Sequence, residues 1–251
     1  MSTNTHIIKI CIDAGHGGKD SGAVYGDWLE KEFTLDIALK LKKKLKRYKR
    51  IMTIMTRETD EFISLSARCL VANENNCDLF ISIHINSSSN LTASGIETHV
   101  YSKNDNLTGQ IFQNKLIEAT QAINRGVKIS PTLYVLNSTK MPSVLLELGF
   151  INNFNDINKL RKETYRDLLA SAIEKAICRY FNIEVLKNKE RVKMIYKTVN
   201  EIPEYAKSII KDLVDSGVIK GEENGNLNLS DEMVRMIIIC KRMIERGVLN
   251  H

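Results

Sequence analysis

Polar side chains alternate with isoleucines in the segment Phe80–Asn86, which reads FISIHIN. Successive side chains of a strand point to opposite faces, so Ser82, His84 and Asn86 share one face. A strand covered on both sides is usually apolar throughout. The polar face therefore predicts a pocket near the strand's C-terminal end, where ligands bind in open α/β sheets. For His84 alone, a structural histidine bonded to the backbone remains an alternative.

A second histidine follows an apolar run in Ile12–Gly18, which reads IDAGHGG. The three glycines around His16 allow close backbone approach and unusual dihedral angles at this turn. The segment has neither the G-x-G-x-x-G spacing nor the G-K-[ST] ending of phosphate-binding loops. We therefore predict that the turn presents His16 rather than a phosphate cradle.

A single carboxylate interrupts the apolar run Val144–Phe150, which reads VLLELGF. Burying Glu147 is costly unless the carboxylate is paired or bound to a metal. Desolvation raises the pKa of a carboxylate and a nearby cation lowers it, and a group poised between them suits proton transfer with water. A buried structural salt bridge is the alternative interpretation.

Two histidines and carboxylates at different strand ends supply the donors of a catalytic zinc site. Such a site has three protein ligands and an open position for water, which the metal acidifies. The sequence contains no H-E-x-x-H motif, so the ligands do not come from one helix. Spacing leaves four carboxylates open as the third ligand, namely Asp27, Glu30, Glu32 and Glu97.

Strand and helix patterns alternate along the chain, which predicts an α/β domain with a mostly parallel, twisted sheet flanked by helices. The predicted strands are His6–Asp13, Ile51–Thr56, Asp78–Asn86, Gly95–Tyr101, Leu133–Asn137 and Ser143–Phe150. The predicted helices are Phe33–Tyr48, Leu65–Asn75, Thr108–Ile123 and Asp156–Tyr180. We assign residues 1–183 to this domain.

The remainder of the chain has a different texture. Residues 184–195 are polar and basic and read as a linker. Residues 196–251 predict a small all-α module with helices over Glu204–Ser216 and Glu232–Arg246, the second capped by Ser230 and ending at Gly247.

The composition excludes several classes of protein. The chain has 251 residues and a net charge of +6. Its hydrophobic fraction of 43% is typical of ordinary globular proteins. No apolar run is long enough for a transmembrane helix, and the first residues do not resemble a signal peptide. The five cysteines show no C-x-x-C spacing, so we expect buried thiols rather than a disulfide or zinc framework.

Eight basic residues lie between Lys40 and Arg50. A basic run can indicate binding to nucleic acid or to a membrane surface. Here Leu41, Leu45 and Tyr48 recur at helical spacing, so we interpret the basic residues as the solvated face of a helix packed on the core. We expect neither a nucleic-acid partner nor a membrane partner.

Several segments together resemble the zinc-dependent N-acetylmuramoyl-L-alanine amidases of the amidase-3 type. They are DAGHGGKDSGA at 13–23, LEKEFTLDIA at 29–38, TRETD at 56–60, LFISIHINS at 79–87, SGIETHVY at 94–101 and MPSVLLELGFINN at 141–153. The resemblance implies Zn²⁺ held by His16, Glu30 and His84, with Glu147 as the catalytic carboxylate. With Asn86 and Glu97 lining the cleft, the implied reaction is hydrolysis of the amide between N-acetylmuramic acid and L-alanine in peptidoglycan by zinc-activated water.

The segment 202–230 resembles a single S-layer homology repeat, a module that binds cell-wall polymers. This chain departs from that pattern at Met233–Met236, because the acidic residue that usually follows the arginine position is missing. The resemblance implies a secondary cell-wall polymer as a partner of residues 196–251. A helical unit for docking or oligomerisation is the alternative.

Synthesis in the cytoplasm and action on the bacterial wall after release fit two kinds of lytic enzyme. One is a phage endolysin, and the other is a mother-cell lysin of a sporulating bacterium. Two other functions remain open, namely a non-catalytic wall-binding protein on an amidase scaffold and a zinc hydrolase of another amide.

Overall fold

The structure is a computed structural model, and it describes residues 6–186, 195–222 and 226–245. The chain divides into two compact units, residues 1–186 and 187–251. Most of the predicted linker 184–195 and the predicted helix end at Gly247 lie outside the described residues.

The first unit alternates strands and helices. Its strands are β1 (Ile8–Ala14), β2 (Val24–Tyr25), β3 (Trp28–Leu29), β4 (Ile51–Met55), β5 (Leu79–Asn86), β6 (Ile96–Val100), β7 (Asn124–Ile129) and β8 (Ser143–Phe150). Its helices are α1 (Glu30–Leu45), α2 (Leu65–Glu74), α3 (Asn106–Thr120), α4 (Tyr134–Asn137), α5 (Phe154–Leu160) and α6 (Glu163–Tyr180). Within the described ranges, no helix combines the length and apolarity needed to cross a membrane.

Six strands form one sheet in the order β4-β1-β5-β8-β6-β7, and β2 and β3 form a separate hairpin. Every neighbouring pair of the large sheet is parallel except β6 and β8, which are antiparallel. The predicted mostly parallel sheet is thus confirmed. Because β1, β5 and β8 run in the same direction, their C-terminal ends meet at one edge of the sheet.

The two faces of the sheet are filled differently. On one face Ile81, Ile83 and Ile85 are buried in the main core with apolar residues of α1, α3 and α6. On the other face Phe80 lies in a smaller apolar cluster that includes residues of α2 and α4. Along β5 that second face changes from Phe80 to the polar residues Ser82, His84 and Asn86, as the alternation predicts.

Several predicted elements differ from the structure. The predicted strand Leu133–Asn137 is wrong, because this apolar run forms the short helix α4 and buries Val135 and Leu136 in the smaller cluster. The predicted helix Asp156–Tyr180 is interrupted at Lys162, whose backbone is extended. The carboxylate of Asp156 accepts hydrogen bonds from the backbone of Gly95 and Phe150 and so ties α5 to the sheet.

Strand β7 was missed because its sequence, NRGVKI, contains a glycine and two cations. It pairs only with β6 and forms one edge of the sheet, where polar residues are tolerated. The hairpin of β2 and β3 was missed as well, since each of its strands is only two residues long.

The basic run is only partly a solvated face. Lys43 and Lys46 are exposed, but Lys44 and Arg47 form ion pairs with Asp167 and Glu174 of α6. Part of the basic run therefore forms ion pairs that connect α1 to α6.

The second unit contains β9 (Ile195–Tyr196), α7 (Glu204–Asp215), β10 (Leu229–Ser230) and α8 (Asp231–Glu245). Antiparallel pairing of β9 with β10 means that the predicted all-α module is helical with a small two-stranded sheet. Ser230 accepts a hydrogen bond from the backbone of Met233, as an N-cap does. Cys240 is exposed, so the prediction that every cysteine is buried is wrong at this position.

Candidate metal centre and catalytic carboxylate

The structure brings together four of the residues singled out in the sequence. Ligand atoms of His16, Glu30 and His84 all lie within 4.8 Å of one another. Glu147 lies beside them, because it pairs with His84 in the register between β5 and β8. Of the other carboxylates considered as ligands, Asp27 and Glu32 are exposed. The fourth, Glu97, lies on the opposite side of Glu147 from His84.

Glu30 is the first residue of α1, and its carboxylate is completely surrounded by donors. Oε1 lies 2.9 Å from His84 Nδ1 and accepts a hydrogen bond from the backbone of Ile85, while Oε2 accepts one from the backbone of Ala23. Oε2 also lies 3.2 Å from His16 Nε2. Burial favours the neutral acid, but the hydrogen bonds with the two histidines outweigh it and hold the pKa of Glu30 well below its usual range.

His16 is held in a strained loop by its neighbours. Its φ of 60° lies in the left-handed region that non-glycine residues rarely adopt. Gly15 is required before it, because a Cβ at that position would lie 2.5 Å from His84 Cε1. Asp20 Oδ2 lies 2.9 Å from His16 Nδ1, which directs Nε2 toward Glu30. Burial opposes a charged ring, but the hydrogen bonds with Glu30 and Asp20 outweigh it and raise the pKa of His16 to about 9.

Two buried arginines hold the backbone of this loop. Arg68 donates to the carbonyl oxygens of Ala14 and His16 and forms an ion pair with Asp13 at 2.7 Å. Arg57 donates to the carbonyl oxygens of Ala14 and Gly15. The strained His16 conformation is therefore fixed by charged hydrogen bonds before any ligand arrives.

The surroundings of the Glu147 carboxylate are the opposite of those of Glu30. Its Oε2 atom is buried and has no hydrogen-bond partner within the described part of the chain. Burial raises the pKa of Glu147 to about 7, with the carboxylates of Glu30 and Glu97 acting in the same direction and His84 acting against them. A carboxyl group with a pKa near neutrality can both accept and donate a proton at physiological pH.

These residues fit a zinc ion. Two imidazoles and one carboxylate form a ligand set of the kind found in catalytic zinc sites. Asp20 supplies the outer hydrogen bond that usually orients a ligating histidine. Glu147 pairs in register with His84, and its unpartnered oxygen can still accept a hydrogen bond.

A cavity of about 190 Å³ adjoins the histidines. Its lining is largely apolar, with Phe62, Ile63 and Leu65 preceding or starting α2 and Leu133, Tyr134 and Val135 around α4. Small-molecule sites typically combine such an apolar wall with a few polar groups.

Asn86 and Glu97, predicted to line the cleft, bind each other. Asn86 Nδ2 donates to Glu97 Oε1 at 3.0 Å, and Arg125 Nε donates to Glu97 Oε2 at 2.8 Å. His99 Nε2 lies 3.3 Å from Glu97 Oε1. Burial favours the neutral acid, but the ion pair with Arg125 outweighs it and lowers the pKa of Glu97.

Sequence reasoning missed the residues that position the others, namely Asp13, Asp20, Arg57, Arg68, His99 and Arg125. Asp20 carried a local signal, because it follows His16 by four residues in the same glycine-rich turn. The partners of Arg57, Arg68 and Arg125 lie in other elements, so only the fold identifies them.

Comparison with known proteins identifies the family of this chain. Residues 10–179 match the Amidase_3 family model, described as N-acetylmuramoyl-L-alanine amidase. The chain is 34% identical over 182 residues to the sporulation-specific N-acetylmuramoyl-L-alanine amidase of Bacillus subtilis, covering 71% of this chain and 70% of that protein. It is 35% identical over 183 residues to the endolysin of Bacillus phage SPP1, covering 70% of this chain and 66% of that protein.

Among solved structures, the chain is similar to the catalytic domain of CwlV, an N-acetylmuramoyl-L-alanine amidase from Bacillus (Paenibacillus) polymyxa var. colistinus. The TM-score is 0.69 at 33% identity, covering 71% of this chain and 100% of that domain. The family match ends at residue 179 and so does not include the second unit. The chain belongs to the N-acetylmuramoyl-L-alanine amidase family and is a peptidoglycan hydrolase of that class.

Proposed function

We propose that the protein uses zinc to hydrolyse the amide between N-acetylmuramic acid and L-alanine, with Glu147 as its catalytic carboxylate. The observation that carries this proposal is the buried, unpartnered oxygen of Glu147 beside the site formed by His16, Glu30 and His84. A buried polar atom without a partner is costly, so its position calls for a function.

His16, Glu30 and His84 would hold the zinc ion. When bound, the ion would polarise the scissile carbonyl and acidify the attacking water. Asp20 keeps the His16 ring in its ligating orientation, and the donors around Glu30 keep that carboxylate ionised.

Glu147 carries the proton through the reaction. Its free oxygen orients a water molecule toward the carbonyl carbon and removes one of the water's protons. The protonated Glu147 then delivers that proton to the nitrogen of L-alanine, so the C–N bond breaks with a neutral amine as leaving group. Burial, which raises the pKa of Glu147, favours its holding the proton between these two steps.

The test is a digest of purified sacculi by the full chain. We expect new L-alanine amino ends, no new reducing sugars, and loss of activity in a zinc chelator that is restored by added zinc. New reducing sugars without amino ends would instead indicate a glycosidase. Binding to sacculi without either product would indicate a non-catalytic wall-binding protein.

For the second unit we propose binding to a secondary cell-wall polymer. Support comes from its organisation as a separate compact unit outside the family match and from its resemblance to a wall-binding repeat. The full chain should sediment with intact walls and bind less to walls from which secondary polymers have been extracted. Equal binding to both would contradict the proposal, and self-association without wall binding would favour the oligomerisation alternative.

The peptidoglycan substrate places the site of action at the bacterial wall. Release of the protein by phage-induced lysis or by mother-cell lysis would give access to it, and this chain is similar to a phage endolysin and to a sporulation-specific amidase. The genes adjoining this one would distinguish the two routes.

A further inference from the structure

Arg125 lies at an irregularity of the sheet, two strands away from the proposed catalytic carboxylate. In the register between β6 and β7, Ile96 pairs with Asn124 but Glu97 pairs with Gly126, so Arg125 is the extra residue of a bulge. Gly126 follows it with a φ of 77°, a conformation that suits glycine. Bulges redirect side chains and are common near active sites.

The guanidinium group is fixed from two sides. Its Nε donates to Glu97 Oε2 at 2.8 Å, and its central carbon lies 4.8 Å from the centre of the Phe150 ring. Glu97 is in turn held by Asn86 through its other oxygen. Asn86 and Glu97 are thus positioning residues for Arg125.

The two terminal nitrogens of Arg125 remain available. Neither has a hydrogen-bond partner among residues 6–186, 195–222 and 226–245, and the side chain is 34% exposed. Because the guanidinium is already oriented, binding an anion would cost little further side-chain entropy. A planar pair of N–H donors matches the geometry of a carboxylate.

The position of Arg125 relative to Glu147 indicates which part of a substrate it faces. Glu147 pairs with His84 on one side and with Glu97 on the other. The scissile carbonyl must face the His16, Glu30 and His84 side, whereas the leaving nitrogen must face Glu147. The peptide that follows this nitrogen therefore extends toward Glu97 and Arg125.

We propose that Arg125 binds a carboxylate on the residue after L-alanine and thereby selects acidic over amidated stem peptides. This inference rests on the proposed function. Arg125 is on β7, two strands from Glu147, but its guanidinium is held at Glu97 of β6, one strand spacing of about 4.8 Å from Glu147. One extended residue spans about 3.5 Å, so a carboxylate one residue beyond the scissile amide lies near the guanidinium. In peptidoglycan that group is the α-carboxylate of γ-linked D-glutamate, which some walls carry as an amide.

The test uses two compounds that differ only at that group. One is N-acetylmuramoyl-L-alanyl-γ-D-glutamyl-L-lysine, and the other carries the α-carboxylate as an amide. We expect the wild type to favour the acid by about tenfold or more in kcat/KM, mainly through KM, which is the size expected for one charge-assisted contact. R125Q should reduce the ratio to about one, and R125K should keep part of the preference because the charge remains.

R50Q is the matched control, because Arg50 is an exposed arginine just before β4. It lies at the N-terminal ends of the parallel strands, whereas the proposed catalytic centre lies at their C-terminal ends. R50Q should leave the ratio unchanged. The same ratio is read from sacculi that contain both peptides, by the masses of the released products. A wild type without preference, or an R125Q that slows both reactions equally, would overturn the inference. A wild type that releases no L-alanine amino ends from the compounds or sacculi would instead refute the proposed function.

Discussion

Glu30 is buried and Glu147 is half-buried with one buried oxygen, and the fold surrounds these two neighbouring carboxylates in opposite ways. Glu30 has hydrogen-bond partners on both oxygens, two of them histidines, and its pKa lies below the usual range. Glu147 has an oxygen without a partner and a pKa raised to about 7. Opposed environments of this kind suit the two proposed roles, a permanently ionised ligand and a proton carrier.

The largest effect should come from removing the charge of Glu30. Glu30→Gln keeps the size of the side chain but removes the charge of the proposed anionic ligand, so we expect turnover of sacculi to fall below detection. Glu32→Gln is the matched control, because Glu32 is exposed two residues later on the same helix. Equal activity in the two variants would show that Glu30 is not a ligand.

Glu147→Gln should remove the proton carrier and leave the ligands in place. We expect a fall in kcat of about 10²- to 10⁴-fold, the usual contribution of general acid–base catalysis. The release of L-alanine amino ends measures it. Activity within tenfold of the wild type would rule out Glu147 as the group that moves the proton.

The wild type and Glu147→Gln should also differ in how their free energy of unfolding depends on pH when a chelator is present. Between pH 4.5 and about 7 the unfolded chain releases the Glu147 proton while the folded chain keeps it, so wild-type stability falls relative to Glu147→Gln as pH rises. The full interval corresponds to roughly 3 kcal/mol, with no further change above about pH 7. Denaturant unfolding across pH 4–9 measures the difference, and a constant difference would contradict burial as the cause of the raised pKa.

Asp20→Asn should have the smallest effect, because Asp20 contacts the proposed ligand His16 and is not itself a proposed ligand. Loss of such an outer hydrogen bond typically weakens metal affinity by about 10- to 100-fold. Competition with a calibrated chelator measures the affinity. Asp27→Asn serves as control, because Asp27 is exposed in the turn between β2 and β3. Equal metal affinities in Asp20→Asn and Asp27→Asn would show that Asp20 does not support metal binding.

The sequence predicted the parts of this site that depend on local pattern. Alternation along β5 placed His84 on a polar face, and a lone carboxylate in an apolar strand identified Glu147. Glu30 was different, since spacing left it equal to Glu32, and only the resemblance to a family distinguished it. The structural reason is that Glu30 differs from Glu32 by lying close to His16 and His84, a contact that only the folded chain reveals.

The errors also follow from the limits of local pattern. The apolar run at 133–137 suits a strand or a helix, and contact with the smaller cluster decides for α4. The role of Arg125 could not be predicted, because it depends on a bulge between two strands that are distant from Glu147 in sequence.

The zinc content of three purified full-length proteins tests the division between the two carboxylates most directly. After dialysis against zinc and then buffer, the wild type and Glu147→Gln should each hold one zinc ion per chain, and Glu30→Gln should hold none. Zinc retained by Glu30→Gln, or lost from Glu147→Gln, would contradict the assignment of Glu30 as ligand and Glu147 as proton carrier.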